Sequence, residues 1–226
     1  GIPGREHVTT VYDIAVIARH AYTLPMFREL VSTYGPYRVR EGTPQMVELW
    51  NRNRLLRLYP GLDGIKTGFT SEAMYCLAGS ALRDHLRLIA VVFGAPSREA
   101  RDRDVRTLLD WGFARYEAVE VSPEGRVWGQ VPVVKGVREQ VAAQAARPLY
   151  LTIPRGQRAS VSSRTTLAPR VRAPVAEGQE VGHLVAVQDG REVARIPLVA
   201  AQAVPRASVW LILRRTVRDL MGSFAR

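Results

Sequence analysis

GLDGIKTGFTSEA, residues 61–73, sets a lysine, a threonine and a glycine in a row between turn-forming residues. Lysine is scarce in this chain. Of its 32 basic residues only Lys66 and Lys135 are lysines, so a motif that needs one has two places to sit. Downstream, MYCLAGSAL (74–82) and LRLIAVVFG (86–94) are apolar runs joined by a short polar link, which predicts antiparallel core strands beside the strand-like GIKTGF. A helix should follow with Ser97 as N-cap. Val105, Leu108, Leu109, Gly112 and Tyr116 would line its inner face, with Arg98, Asp102, Arg103 and Asp110 elsewhere.

Upstream, TTVYDIAVIARHAY (9–22) repeats apolar residues at helical spacing, and Thr10 with Asp13 makes a capping pair. Pro25 introduces a second short helix, MFRELVSTY (26–34), and PYRVRE (36–41) alternates as a strand does. From about Glu117 the pattern changes to short valine-rich runs broken by Gly, Pro and Asp. One of them, VAVQDGREVARI (185–196), carries the Asp-Gly signature of a hairpin. The chain closes on RASVWLILRRTVRDLMGSFAR (206–226). There Val209, Leu213, Val217, Leu220 and Phe224 share one helical face, Trp210 and Met221 lie beside it, and Arg214, Arg215 and Arg218 lie opposite. Such a basic amphipathic helix is suited to a membrane interface. The fold class read from this order is α+β. An antiparallel sheet with helices spans 1–116, a small all-β domain 117–205 and an amphipathic helix 206–226.

Composition narrows the chemistry. The 226 residues suffice for one large or two modest domains, and 46% hydrophobic content can bury a core. A formal charge of +11 favours an anionic partner. The arginines are spread along the chain and no nucleic-acid motif accompanies them, so charge does not point to nucleic acid. A single cysteine, Cys76, excludes an internal disulfide, and its apolar neighbours predict a small buried core residue. His7, His20, His85 and His183 are too scattered for a metal site, so neither metal nor cofactor is expected. No stretch reaches the roughly 18 to 20 apolar residues that cross a bilayer.

The 51–97 stretch NRNRLLRLYPGLDGIKTGFTSEAMYCLAGSALRDHLRLIAVVFGAPS resembles the C-terminal part of the catalytic domain of the low-molecular-mass penicillin-binding proteins, the serine D-alanyl-D-alanine carboxypeptidases. TTVYDIAVIARHAY, RDVRTLLDWGF (103–113), the β-rich segment and the terminal helix extend the likeness over essentially the whole chain. It implies a truncated penicillin-binding, β-lactamase-like domain ahead of the β domain. The activity it implies is removal of the terminal D-alanine from peptidoglycan pentapeptide stems through an acyl-enzyme on serine, which β-lactams trap. Carried over by motif, Lys66, Thr67 and Gly68 would bind the substrate and its carboxylate. Lys66 would supply positive charge, Thr67 a hydroxyl, and Gly68 room for a substrate backbone. The backbone N–H of Phe69 would be an oxyanion-hole donor, and Arg52 and Arg101 would lie near the substrate carboxylate. Where this chain has Met74, the family usually has glycine.

The family also needs Ser-x-x-Lys, whose serine attacks the carbonyl, and Ser-x-Asn, which relays protons. Neither occurs in these residues. Asp63 stands three before Lys66, Pro132 three before Lys135, and Leu49 and Asn51 stand two before the only asparagines, Asn51 and Asn53. In the family both elements and the secretion signal precede the stretch that Gly1 opens. The resemblance therefore implies a C-terminal piece that is inactive alone, placed at the outer face of the cytoplasmic membrane through 206–226. It also implies that residues 1–116 alone would expose apolar surface and be poorly stable, while 117–205 could fold independently. Two other readings stand beside it: a non-catalytic, membrane-associated peptidoglycan-binding module, and a β-lactamase or peptidoglycan endopeptidase, against which the C-terminal β domain and basic tail argue.

Overall fold

Thr10 opens the first helix, α1 (Val11–Ala21), with a reciprocal cap. Its hydroxyl accepts from the Asp13 N–H at 3.1 Å and the Asp13 carboxylate accepts from the Thr10 N–H at 3.1 Å. In the computed structural model, which describes residues 8–40 and 46–215, the chain divides into two units, 1–117 and 118–226. After α1 the first unit continues with α2 (Pro25–Ser32), which has proline at its first position, a short antiparallel pair β1 (Tyr37–Arg40) and β2 (Met46–Leu49), and a single turn α3 (Leu55–Leu58). Three longer strands follow, β3 (Leu62–Thr70), β4 (Met74–Arg83) and β5 (Leu86–Ala95), forming an antiparallel sheet of order β3-β4-β5. The β4–β5 link puts Asp84 and His85 at φ of 46° and 63°. Left-handed backbone at both central positions matches the twist that a two-residue hairpin loop requires.

Both faces of this sheet are covered in part. Ala18 of α1 and Tyr22 pack with Ile65 and Ala78, flanked by Ile14, Phe27, Val31, Ile89 and Val91. On β4 the next residue, Gly79, points the other way, and there α4 (Arg98–Arg115) approaches closely. A Cβ on Gly79 would sit 2.9 Å from Val105 Cγ1, and one on Gly112 would sit 2.6 Å from Leu88 Cδ1, so both glycines set the helix-to-sheet distance. Ser97 caps α4 as expected, its hydroxyl accepting from the Ala100 N–H at 3.1 Å.

The buried face of α4 differs from the one its apolar spacing suggests. Arg101, Asp102, Val105, Leu109, Gly112 and Phe113 are buried, whereas Leu108 is exposed and Tyr116 already begins the next strand. Asp102 can enter this face because Arg101 neutralises it, with Nε and Nη2 donating to the same carboxylate oxygen at 2.9 and 2.6 Å. Cys76 also departs from expectation. It is half-buried near the start of β4, with its thiol donating to the Ala73 carbonyl at 3.2 Å.

The second unit is all-β apart from one 3-10 turn and a terminal helical segment. Its strands are β6 (Tyr116–Ser122), β7 (Val127–Val134), β8 (Gln140–Ala145), β9 (Leu149–Pro154), β10 (Val161–Leu167), β11 (Val171–Arg172), β12 (Glu180–Gln188) and β13 (Arg191–Ala200). A six-stranded sheet, β10-β12-β13-β8-β7-β11, and a β6-β9 ribbon enclose a core built from valine, leucine, isoleucine and alanine, including Val119, Val131, Val141, Ile153, Leu184, Ile196 and Leu198. Asp189 and Gly190, at φ of 49° and 77°, make the two-residue turn between β12 and β13, with Gln188 opposite Arg191.

Ser208 starts a helical segment over 209–215. Its hydroxyl accepts from the Leu211 N–H at 3.3 Å and its carbonyl from the Ile212 N–H at 3.1 Å. Val209, Trp210 and Leu213 are exposed on it. Arg215, expected on a free polar face, instead turns back onto the domain. Its guanidinium donates to the Gly136 and Val137 carbonyls at 2.8 Å each and pairs with Glu139 at 3.0 Å. The remaining residues of the expected amphipathic face, Val217, Arg218, Leu220, Met221 and Phe224, lie outside the described residues. Among the described residues no helix is long and apolar enough to cross a membrane.

Candidate functional site: the open edge of strand β3

Lys66, Thr67, Gly68 and Phe69 follow one another along β3, which has β4 on one side and, among the described residues, no strand on the other. Lys66 and Gly68 are exposed, and Phe69 is 60% exposed. The lysine ammonium donates to the Thr67 carbonyl at 2.6 Å, which leaves two of its three N–H bonds for other acceptors. Gly68 faces Cys76 across the ladder, and a Cβ there would meet only Cys76 Cβ at 3.7 Å, an ordinary contact. Its φ is not among the positive ones. Neither packing nor backbone conformation within the unit therefore calls for a glycine at this exposed position. Phe69 is steadied by Tyr75, its partner in the register, with ring centroids 4.5 Å apart.

The start of β3 is clamped from two sides. Asn53, fully buried, donates through Nδ2 to the Gly64 carbonyl at 3.1 Å, while its Oδ1 accepts from the Leu55 N–H at 3.2 Å. Asn51 in turn accepts from the Asn53 N–H at 2.9 Å and donates to the Val31 and Thr33 carbonyls at 3.2 Å each. Arg52 lies between these two anchored residues with its side chain exposed, so the loop fixes its backbone and leaves the guanidinium at the surface. On the other side, Asp63 accepts from Arg87 at 2.7 Å and from the Tyr22 hydroxyl at 3.1 Å, and Arg87 also donates to Ser80 at 2.7 Å. Burial, with the Asp63 carboxylate adding to it, pushes the Tyr22 phenol up to about 12, so it stays a neutral donor.

Arg101 is the one expected site residue that is not at the surface. It is 4% exposed and already engaged with Asp102, so two of its five N–H donors are spent within α4. Among the described residues no cluster of three or more His, Cys, Asp or Glu could hold a metal ion. Asn53, Asp63, Arg87 and Tyr75 are the residues that sequence reasoning passed over. The Asn-x-Asn spacing of 51–53 carried a signal, since an asparagine side chain readily bonds the backbone two residues on. The Asp63–Arg87 pair carried none, because it depends on strand register.

Two family matches divide the chain in the same order as its architecture. Residues 1–97 match the family described as D-alanyl-D-alanine carboxypeptidase, and residues 116–206 match the one described as penicillin-binding protein 5, C-terminal domain. Over most of its length this chain is similar to the D-alanyl-D-alanine carboxypeptidases. Among its relatives, the D-alanyl-D-alanine carboxypeptidase DacF of Bacillus subtilis is 33% identical over 97% of this chain and 56% of its own length. DacA of Escherichia coli is 30% identical over 92% of this chain and 51% of its own. Penicillin-binding protein 5 from Haemophilus influenzae, a solved structure, superposes over 91% of this chain and 59% of that one, with a TM-score of 0.62 and 30% identity. The chain thus spans a little over half the length of the curated relatives it matches. Within the residues matched to the carboxypeptidase model, the Lys-Thr-Gly strand stands at the edge of the sheet β3-β4-β5.

Proposed function

We propose that these residues supply the substrate-binding strand, the β domain and a peripheral membrane attachment of a serine-type D-Ala-D-Ala carboxypeptidase. Such an enzyme acts on peptidoglycan pentapeptide stems at the outer face of the cytoplasmic membrane. The observation that carries this reading is Lys66-Thr67-Gly68 on an open strand edge, with a glycine that nothing inside the unit requires. A stem peptide laid along β3 would add a strand to the sheet, exchanging backbone hydrogen bonds with it. The Lys66 ammonium would draw its terminal carboxylate, with Arg52 adding positive charge from the anchored loop. Thr67 would offer its hydroxyl to the same carboxylate. The Phe69 N–H would stabilise the oxyanion formed when a serine outside these residues attacks the penultimate D-alanine carbonyl. Arg101 would have to turn outward from its buried pairing with Asp102 to meet a substrate carboxylate.

Free D-alanine is the product this reading requires; cleaved cross-links or opened β-lactam rings as the main products would point to the endopeptidase or β-lactamase readings. A fluorescent penicillin tests the division of labour. The full-length gene product carrying these residues should be labelled on a serine, and the 226-residue chain alone should not. A full-length product without label would favour a non-catalytic peptidoglycan-binding module.

A further inference from the structure

The second lysine is not used by the carboxypeptidase reading. Lys135 follows β7 with φ of 59°, a left-handed position that lysine seldom occupies. A cavity of about 410 Å³ opens beside it, lined by Val134, Lys135, Arg170, Val171 and Arg172. The parallel pairing of β11 with β7, with Arg172 opposite Val134, brings the two arginines alongside the lysine. No carboxylate lines this cavity, and among the described residues none of the three cations has an ion-pair partner. Three like charges around one cavity repel one another, so the arrangement is one that an anion would stabilise.

The cavity lies at the root of the C-terminal helix. The Ala207 N–H donates to the Lys135 carbonyl at 2.8 Å, Gly136 bridges Arg206, and the Val137 N–H donates to the Pro205 carbonyl at 2.9 Å. Arg215, one helical stretch later, returns to the Gly136 and Val137 carbonyls. Around this junction Val134, Val137, Val209, Trp210 and Leu213 are exposed. An aromatic and several aliphatic side chains next to an uncompensated cationic cavity have the chemistry of a lipid interface, with apolar groups for the acyl boundary and cations for the phosphate.

We propose that Lys135, Arg170 and Arg172 form a binding site for the phosphate of an anionic phospholipid headgroup, seated where the C-terminal helix leaves the β domain. This rests on the membrane-attachment reading given above, and it assigns that attachment a specific headgroup contact besides the helix. The test is co-sedimentation of the full 226-residue chain with vesicles of phosphatidylcholine with and without phosphatidylglycerol. The pocket variant combines Lys135→Asn, which tolerates left-handed backbone, with Arg170→Gln and Arg172→Gln. A charge-matched control combines Arg147→Gln, Arg158→Gln and Arg191→Gln, three exposed arginines outside the cavity. The pocket variant should lose phosphatidylglycerol-dependent binding by about fivefold per charge removed, and the control by less than about twofold. Equal losses in both would mean diffuse surface charge and would overturn the site. Trp210→Ala separates the two readings: if it binds as tightly as wild type while the pocket variant does not, the helix reading falls and the headgroup site stands. Wild type that ignores phosphatidylglycerol but binds inorganic phosphate in calorimetry would replace the lipid by a soluble anion, and no binding of either would end the proposal. Arg172→Gln alone serves if the triple variant melts below wild type.

Discussion

Asn53 is a single side chain on which the placement of β3 depends. It satisfies the Gly64 carbonyl and the Leu55 N–H from a fully buried position. Asn53→Ala should cost about 1–3 kcal/mol, read as a lower urea midpoint with unchanged slope, because two buried backbone groups lose their partner. Met74 stands where the resemblance to the carboxypeptidases implies a glycine. It begins β4 at φ of 54°, where a Cβ is crowded, and its side chain is 38% exposed. Met74→Gly should therefore stabilise the first unit, by up to about 1 kcal/mol in a thermal melt. Tyr22 adds a pH dependence. Below pH 10 the phenol is protonated in both folded and unfolded chains, so it contributes no pH dependence there. Between 10 and its raised value of about 12 the unfolded phenol releases its proton first, so stability falls as pH rises through that window. Denaturation of Tyr22→Phe across the same window should show a flatter decline than wild type. Resemblance alone put Arg101 near a substrate carboxylate. Its pairing with Asp102 could not be read in advance, because adjacent residues on a helix usually diverge, yet here both are buried and paired.

At the scale of elements, local chemistry was the legible part. The Thr10–Asp13 capping box, the Ser97 N-cap and the Asp189-Gly190 turn are each written in a few consecutive residues, and each forms as its residues dictate. The three strands around Lys-Thr-Gly were legible for the same reason, since short links force neighbours in sequence to pair in space. The parallel β7–β11 contact and the β13–β8 pairing were not, because they join segments far apart in the chain and no local pattern encodes such a register. The seat of α4 makes its own prediction. Gly79→Ala drives a methyl to 2.9 Å from Val105 and should lower stability by about 1–3 kcal/mol in chemical denaturation, whereas at Gly112 the clash is with a terminal methyl of Leu88 that can turn aside, and the preference of a helix for alanine offsets its cost. Gly68→Ala, with only an ordinary contact to make, should leave stability nearly unchanged.

For the whole molecule, the two units differ in how well they cover themselves. The second has a closed core of valine, leucine, isoleucine and alanine. In the first, Tyr12, Val16, Ile17, Met26 and Leu30 are exposed on α1 and α2, an apolar surface open to solvent. Residues 117–205 alone should melt cooperatively, while residues 1–116 alone should bind a hydrophobic dye and show no sharp transition; a cooperative melt of the latter would refute this account of its surface. The central claim is that the edge of β3 receives the substrate while the nucleophile lies elsewhere. It is met most directly by fluorescent-penicillin labelling of the full-length gene product and its Gly68→Ala variant, with thermal melts run alongside. The account predicts labelling of the parent, a loss of roughly a hundredfold in acylation rate for Gly68→Ala at an unchanged melting temperature, and no label on the 226-residue chain. Normal labelling of Gly68→Ala, or covalent label on the 226-residue chain itself, would contradict it.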